Sequence, residues 1–242
     1  MSRVAKSYIG LVIASGTAVL LIAARFWSSA SPWQFATFLT LVVFASTLKL
    51  RIPGTTSTMS PNFAFLLGAM SVLSFAQVVV LCLVAALVQA AWRPKRSLRL
   101  VKVCFSAAAL LVSGAFAFTV SHLVLRSLPS ASSMGLILVA GCLYMPANTV
   151  LVSIVMGLAE RHPLKQICGQ CYQAVFPYFI LGIVFTALIE GALPQTMVWQ
   201  RPLLVALAMV LVYAYFLLRG NRGARGEAGA SDRQRELVAA SS

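Results

Sequence analysis

Acidic residues and histidine are scarce in this chain: 242 residues include only five Asp and Glu and two His. A proton relay, a carboxylate metal cage or a two-acid hydrolase needs carboxylates paired within one membrane segment, and no two acids share an apolar segment here. The histidines fall on opposite sides of the bilayer in the topology derived below. The sequence therefore predicts a non-enzymatic protein without cofactor or metal. These residues are Glu160, Glu190, Glu227, Asp232, Glu236, His122 and His162.

Cysteine is also sparse and odd in number, so the sequence predicts no disulfide framework. The first three of the five cysteines lie inside apolar runs, where a thiol behaves as a small hydrophobe. The motif CGQC at Cys168–Cys171 has metal or redox spacing, but with His162 it offers three ligands, fewer than structural zinc takes. A thioredoxin-like site belongs in a βαβ context, so we expect structural thiols. The cysteines are Cys82, Cys104, Cys142, Cys168 and Cys171.

Apolar residues dominate what remains: 60% of the chain is hydrophobic and 10% is charged, too little polar surface for a soluble globule of this size. Most apolar runs approach the ~20 residues that a bilayer core requires. The sequence predicts an all-α polytopic bundle of about eight membrane segments, the third and fourth short and paired around the junction SVLSFAQ. The runs cover 8–24, 34–50, 62–74, 76–91, 101–125, 134–158, 174–193 and 203–218.

The positive charges fix the predicted orientation. Threading eight segments from a cytoplasmic N-terminus puts 16 of the 19 Lys and Arg inside and only Arg25, Arg126 and Arg201 outside. We therefore predict a multi-pass inner-membrane protein with both termini in the cytoplasm. The same topology explains the net charge of +14, so a nucleic-acid partner is not needed.

Two basic, polar regions lie outside the segments. The loop after the fourth segment could attract anionic lipid, although a topology anchor alone explains such loops too. The membrane domain spans 1–218, and 219–242 is polar, without a periodic apolar face, so a disordered cytoplasmic tail is expected. The basic loop residues are Arg93, Lys95, Arg96, Arg99 and Lys102.

Polar residues inside the apolar segments are candidates for ligand contacts. Asn148 lies close to Pro146, which frees a backbone carbonyl, and an amide there can bond across to a neighbouring helix. Such residues either bind neighbouring helices or line a cavity for a small ligand. The candidate contacts are Gln77, Tyr144, Asn148 and Tyr178.

The stretch RIPGTTSTMSPNF interrupts the apolar pattern between the second and third segments. Ser60 and Pro61 predict a helix N-cap followed by its first residue. Arg51 with Thr55 and Thr56 would also suit an anion or a polar headgroup at the cytoplasmic mouth of a cavity bounded by segments three, six and seven. A capped turn and a binding loop both fit this pattern.

A stripe of small residues marks the first segment, where Gly10, Ala14 and Ala18 recur every four residues. Small residues let a second helix approach closely in a membrane. That helix can belong to this chain or to a partner.

The region from Leu48 to Phe118, above all PGTTSTMS, resembles the N-terminal multi-helix membrane region of bacterial HD-GYP and GGDEF signalling proteins. The similarity continues through YMPANTVLVSIVMGL and FPYFILGIVF, so it covers about 34–218. The resemblance implies a sensory or anchoring module. Nothing after Leu218 resembles an HD or GGDEF domain, so the module is expected to act through a partner protein.

A second resemblance is to the substrate-binding membrane subunits of energy-coupling-factor vitamin transporters. These are small bundles with a small-residue stripe on the first helix, which Gly10, Ala14 and Ala18 match. This similarity implies the alternative function, a small-molecule binding or transport subunit.

Overall fold

A computed structural model describes residues 3–28, 31–48, 50–51, 58–92, 100–127, 132–160, 164–193, 200–211 and 214. These residues form eight helices and one ladder of two-residue strands, so the all-α prediction is confirmed apart from this ladder. The elements are α1 (Arg3–Arg25), α2 (Pro32–Thr47), β1 (Leu50–Arg51), β2 (Thr58–Met59), α3 (Asn62–Val72), α4 (Phe75–Ala91), α5 (Leu100–Arg126), α6 (Ser133–Glu160), α7 (Leu164–Ala192) and α8 (Gln200–Leu211).

Helix α3 forms the centre of the bundle. Its sequence, NFAFLLGAMSV, is apolar around its whole circumference, a pattern typical of a helix enclosed on every side. Every residue from Asn62 to Met70 is buried, and α2, α4, α6 and α7 all pack against the helix. The 11 residues of α3 rise only about 16 Å, roughly half the thickness of a bilayer core.

The junction between α3 and α4 lies where the mildly polar SVLSFAQ predicted it. Helix α3 ends at Val72 and α4 begins at Phe75, with Leu73 and Ser74 extended between them. Helix α4 has 17 residues, so the prediction of two short segments is confirmed. The break is sharp because Ser74 starts α4 with a capping box that satisfies backbone N–H groups at its N-terminus.

Consecutive helices run in opposite directions. The turn between α3 and α4 meets the end of α1, since Ser74 Oγ donates to the Ser28 carbonyl at 2.9 Å. The start of α6 meets the end of α7, where Ser133 Oγ donates to the Glu190 carbonyl at 3.5 Å. We call this the distal end of the bundle, and the end at which α1 begins the proximal end.

Within the described ranges, three helices are long and apolar enough to cross a membrane: α1, α5 and the Ser133–Leu158 part of α6. These three support a membrane protein. Helices α3, α4 and α8, and the Phe179–Ala192 part of α7, are apolar but shorter.

Helix α7 differs from the predicted seventh segment. It begins at Leu164, ten residues before the predicted start at 174. The added residues, LKQICGQCYQ, are polar enough to escape a hydropathy pattern but contain no proline, so nothing in them stops a helix. The predicted tail, 219–242, lies outside the described residues.

Close helix contacts depend on glycine. A Cβ added at Gly16 of α1 would lie 2.6 Å from the Cβ and 2.7 Å from the Cα of Ala108 on α5. The stripe noted in the sequence lies on another face of α1: Gly10, Ala14 and Ala18 are exposed, and a Cβ at Gly10 would meet no atom within 4 Å. Residues in other positions, including Gly16, therefore form the buried face of α1.

We expect Gly16→Ala to destabilise the bundle and Gly10→Ala to leave it intact. The new methyl group at Gly16 would collide with the backbone of α5, and such overpacking costs about 1–3 kcal/mol. The methyl group at Gly10 enters open space and raises helix propensity. Unfolding of the two purified variants in a mixed-detergent titration measures the difference. Equal stability would contradict the close approach of α1 to α5.

Candidate functional site

A buried polar cluster joins the end of α2 to the start of α3. Asn62 Nδ2 donates to Ser46 Oγ at 3.2 Å, and Ser60 Oγ donates to the Ser46 carbonyl at 3.4 Å. All three residues are buried. The predicted N-cap is therefore wrong in detail. Helix α3 begins at Asn62 rather than Pro61. Ser60 does not cap it, because the Ser60 hydroxyl donates to the Ser46 carbonyl of α2 instead.

This cluster lies well inside the length of the bundle. The Phe63 ring, next to Asn62, lies 4.2 Å from the Phe179 ring of α7, measured between centroids. From Phe179 to its start at Leu164, α7 rises about a further 22 Å. The end of α2 and the start of α3 therefore lie short of the proximal end. The polar groups of this cluster lie at a depth that α6 and α7 pass.

The loop residues predicted to bind an anion follow this cluster along the chain. Arg51 pairs with Thr58 in the antiparallel ladder of β1 and β2, which brings the two ends of the loop together. Thr55, Thr56 and the Arg51 side chain lie outside the described residues.

Two predicted ligand contacts lie on α6 near the same level. Tyr144 is buried, and its ring lies 6.5 Å from Phe179, which also contacts Phe63. Asn148 follows one turn later, and its Oδ1 is buried without a hydrogen-bond partner. The Tyr178 side chain lies outside the described part of the chain. Tyr144 therefore lies at the level of the start of α3, and Asn148 lies one turn further along α6.

Gln77 does not join this group. It lies in the first turn of α4 at the distal end, beyond the full length of α3, and is completely buried there. Its Oε1 accepts the Ser74 N–H at 3.1 Å, completing the capping box. The S-x-x-Q pattern in SFAQ indicates a capping box, but this role of Gln77 was not predicted from the sequence. The structure thus divides the predicted contacts between two ends of α3.

The other predicted sites receive only partial description. In the basic loop, Lys102 is exposed in the first turn of α5, and the remaining four residues lie outside the described ranges. The side chains of the CGQC motif are likewise outside them. Of the other cysteines, Cys82 is buried, while Cys104 and Cys142 are exposed thiols. Within the described residues, no group of three potential metal ligands occurs.

A buried ion pair holds α8 to α7 at the distal end. Arg201 Nη1 donates to Glu190 Oε2 at 2.8 Å, and Nη2 donates to the Leu193 carbonyl at 2.5 Å. Glu190 is 3% exposed and Arg201 9% exposed, so water screens the pair weakly. The predicted topology placed Glu190 and Arg201 at the same end of the bundle, but the sequence did not predict that they form an ion pair.

In comparisons with known proteins, no family model, curated protein or solved structure matched this chain.

We expect Arg201→Met to destabilise the bundle, because it leaves the Glu190 carboxylate buried without its partner. Removing one member of a buried pair costs about 3–5 kcal/mol. The double variant Glu190→Leu with Arg201→Met should recover most of this loss, since no charge then remains in the site. Detergent unfolding titrations of the three proteins provide the measurement. A double variant as unstable as the single one would show that packing, not charge, sets the effect.

Proposed function

We propose that this protein is a non-enzymatic sensory or scaffold module of the cytoplasmic membrane that acts through a partner protein. It would cross the bilayer eight times with both termini in the cytoplasm. The 16 to 3 distribution of Lys and Arg supports this orientation. The resemblance to the input regions of bacterial signalling proteins supports a sensory role.

The exposed small-residue face of α1 is the observation that carries the proposal. Gly10, Ala14 and Ala18 lie on one outward side of the helix, while Val12 and Gly16 face α5 and the core. In a bilayer the hydrophobic effect does not hold helices together, so close packing through small residues does. This bundle leaves such a face to its surroundings, which suits a transmembrane helix of a partner.

A photo-crosslinking experiment in native membranes tests this function. A photoreactive amino acid replaces Leu21, which is exposed on α1. We expect an adduct with a second membrane protein, lost when Gly10, Ala14 and Ala18 are all changed to Leu, because bulky side chains keep the partner helix away.

The control changes two other exposed positions, Thr119→Leu on α5 and Val150→Leu on α6. These changes add bulk to the lipid-facing surface without touching α1, so the adduct should persist. An adduct of equal yield in both variants, or adducts with lipid only, would contradict the proposal.

The alternative function is a small-molecule binding or transport subunit, and the polar groups inside the bundle favour it. Ser46, Ser60 and Asn62 lie beside the start of α3, and Asn148 Oδ1 lacks a partner. A buried acceptor without a partner is costly unless a bound group supplies the hydrogen bond. Arg51, Thr55, Thr56 and Tyr178 would complete this site.

Thermal stabilisation by a panel of nucleotides, anionic lipids and vitamins tests the alternative. We expect a compound that binds to raise the melting temperature of the wild type more than that of a triple variant, Arg51→Ala with Thr55→Ala and Thr56→Ala, since that variant lacks the charged donor. Thr40→Ala serves as the control, because Thr40 lies on the exposed side of α2 and its hydroxyl donates to the Ala36 carbonyl, away from this site. Equal stabilisation of the wild type and the triple variant would leave this loop as a structural turn.

A further inference from the structure

The N-terminus of α4 carries more hydrogen-bond donors than acceptors. Its capping box uses two of them: Ser74 N–H donates to Gln77 Oε1 at 3.1 Å, and Gln77 N–H donates to Ser74 Oγ at 3.4 Å. The N–H groups of Phe75 and Ala76 have no partner within the helix, as in any first turn. Among the described residues, no group outside the helix accepts from them either.

The side chain of Gln77 adds a further unused donor at the same place. Gln77 is 0% exposed, and its Nε2 has no hydrogen-bond partner. Because Oε1 of the same amide accepts the Ser74 N–H, the unpaired Nε2 also lies at the helix N-terminus. An amide in this position would normally be satisfied, so its unused hydrogens indicate a missing acceptor.

One backbone acceptor already reaches this end of α4. Ser74 Oγ donates to the Ser28 carbonyl at 2.9 Å, a contact that joins residues 46 positions apart. Ser28 is exposed and follows the last turn of α1. The same hydroxyl lies 3.3 Å from Gln77 Oε1, so its single hydrogen is committed to the Ser28 carbonyl or to Gln77 Oε1 and is not one of the unused donors.

An aromatic wall stands beside the donors. The Phe75 and Phe118 rings lie 5.6 Å apart, and His122 stacks on Phe118 at 4.0 Å between centroids. His122 Nδ1 lies 2.8 Å from the Phe118 carbonyl, which fixes the imidazole ring against the wall. The site therefore combines neutral N–H donors with an apolar surface.

We propose that the N-terminus of α4 binds the carboxylate of a small apolar acid at the distal end of the bundle. The backbone N–H groups of Phe75 and Ala76 and the side-chain amide NH2 of Gln77 donate to the carboxylate oxygens. The hydrocarbon part of the acid contacts Phe75 and Phe118. A helix N-terminus favours negative charge, and its adjacent N–H groups fit the two oxygens of a carboxylate. This site is separate from the α1 face and from the loop at the start of α3, so it does not depend on either proposed function.

The test uses the purified full-length protein in a maltoside detergent, with butyrate as the probe and neutral butyramide as its isostere at equal ionic strength. We expect butyrate to raise the melting temperature and butyramide to have little effect. Stabilisation by butyramide equal to that by butyrate, or by neither compound, would overturn the proposal.

The decisive variant is Gln77→Glu. Glutamate can still accept the Ser74 N–H in a capping box, but it replaces the amide NH2 with a carboxylate oxygen that repels an anion. We expect butyrate affinity to fall at least tenfold. Wild-type affinity in this variant would overturn the site.

Two further variants separate binding from folding. Ser74→Ala removes the cap and the bond to Ser28 but keeps the three donors, so it should melt at a lower temperature and still be stabilised by butyrate. Gln77→Leu removes the amide without adding charge and should also lose the response. It replaces Gln77→Glu as the test if the buried carboxylate prevents folding. Retention of the butyrate response in Gln77→Leu would contradict a role for the Gln77 side-chain NH2 group.

Discussion

The enclosure of α3 is the constraint on which the rest of the bundle depends. A helix of 11 residues cannot cross a bilayer core, so α3 reaches only the distal end of the bundle, and its start lies among other helices, where water does not satisfy its terminal backbone groups. That start must be covered by protein. Helices α2, α4, α6 and α7 supply that cover, and glycines make the approach possible: a Cβ at Gly182 would lie 2.3 Å from the Phe63 ring.

Polar residues collect at the two ends of α3, where terminal backbone groups need hydrogen-bond partners. At its start, Ser46 and Asn62 bond to each other across the turn from α2. Beyond its end, Ser74 and Gln77 start α4 at once and turn the chain back. These side chains bond to groups at the helix ends, while Gln77 Nε2, like Asn148 Oδ1 on α6, is buried without a hydrogen-bond partner.

Apolar run lengths predicted the helices well, because burial in lipid or in a core imposes the same continuous hydrophobicity. The α3–α4 junction was also predictable, since the hydroxyls of SVLSFAQ interrupt that pattern. The site was predicted only in part. Tyr144 and Gln77 appear equally polar and central in the sequence, yet α3 separates them, and sequence spacing carries no information on such tertiary distances. The stripe containing Gly10 has the same character: its spacing predicts close packing, but only the fold shows that α5 occupies another face.

The depth of the α2–α3 turn has an electrical consequence. Phe63 and Phe179 meet close to the middle of α7, about 20 Å from its end at Ala192. In a membrane that α7 crosses, an ion held at the start of α3 would sit partway through the transmembrane potential. A full crossing changes the energy of a unit charge by about 2.3 kcal/mol per 100 mV, so half of it amounts to about 1 kcal/mol. Occupancy of such a site would then vary with membrane voltage as well as with ligand concentration.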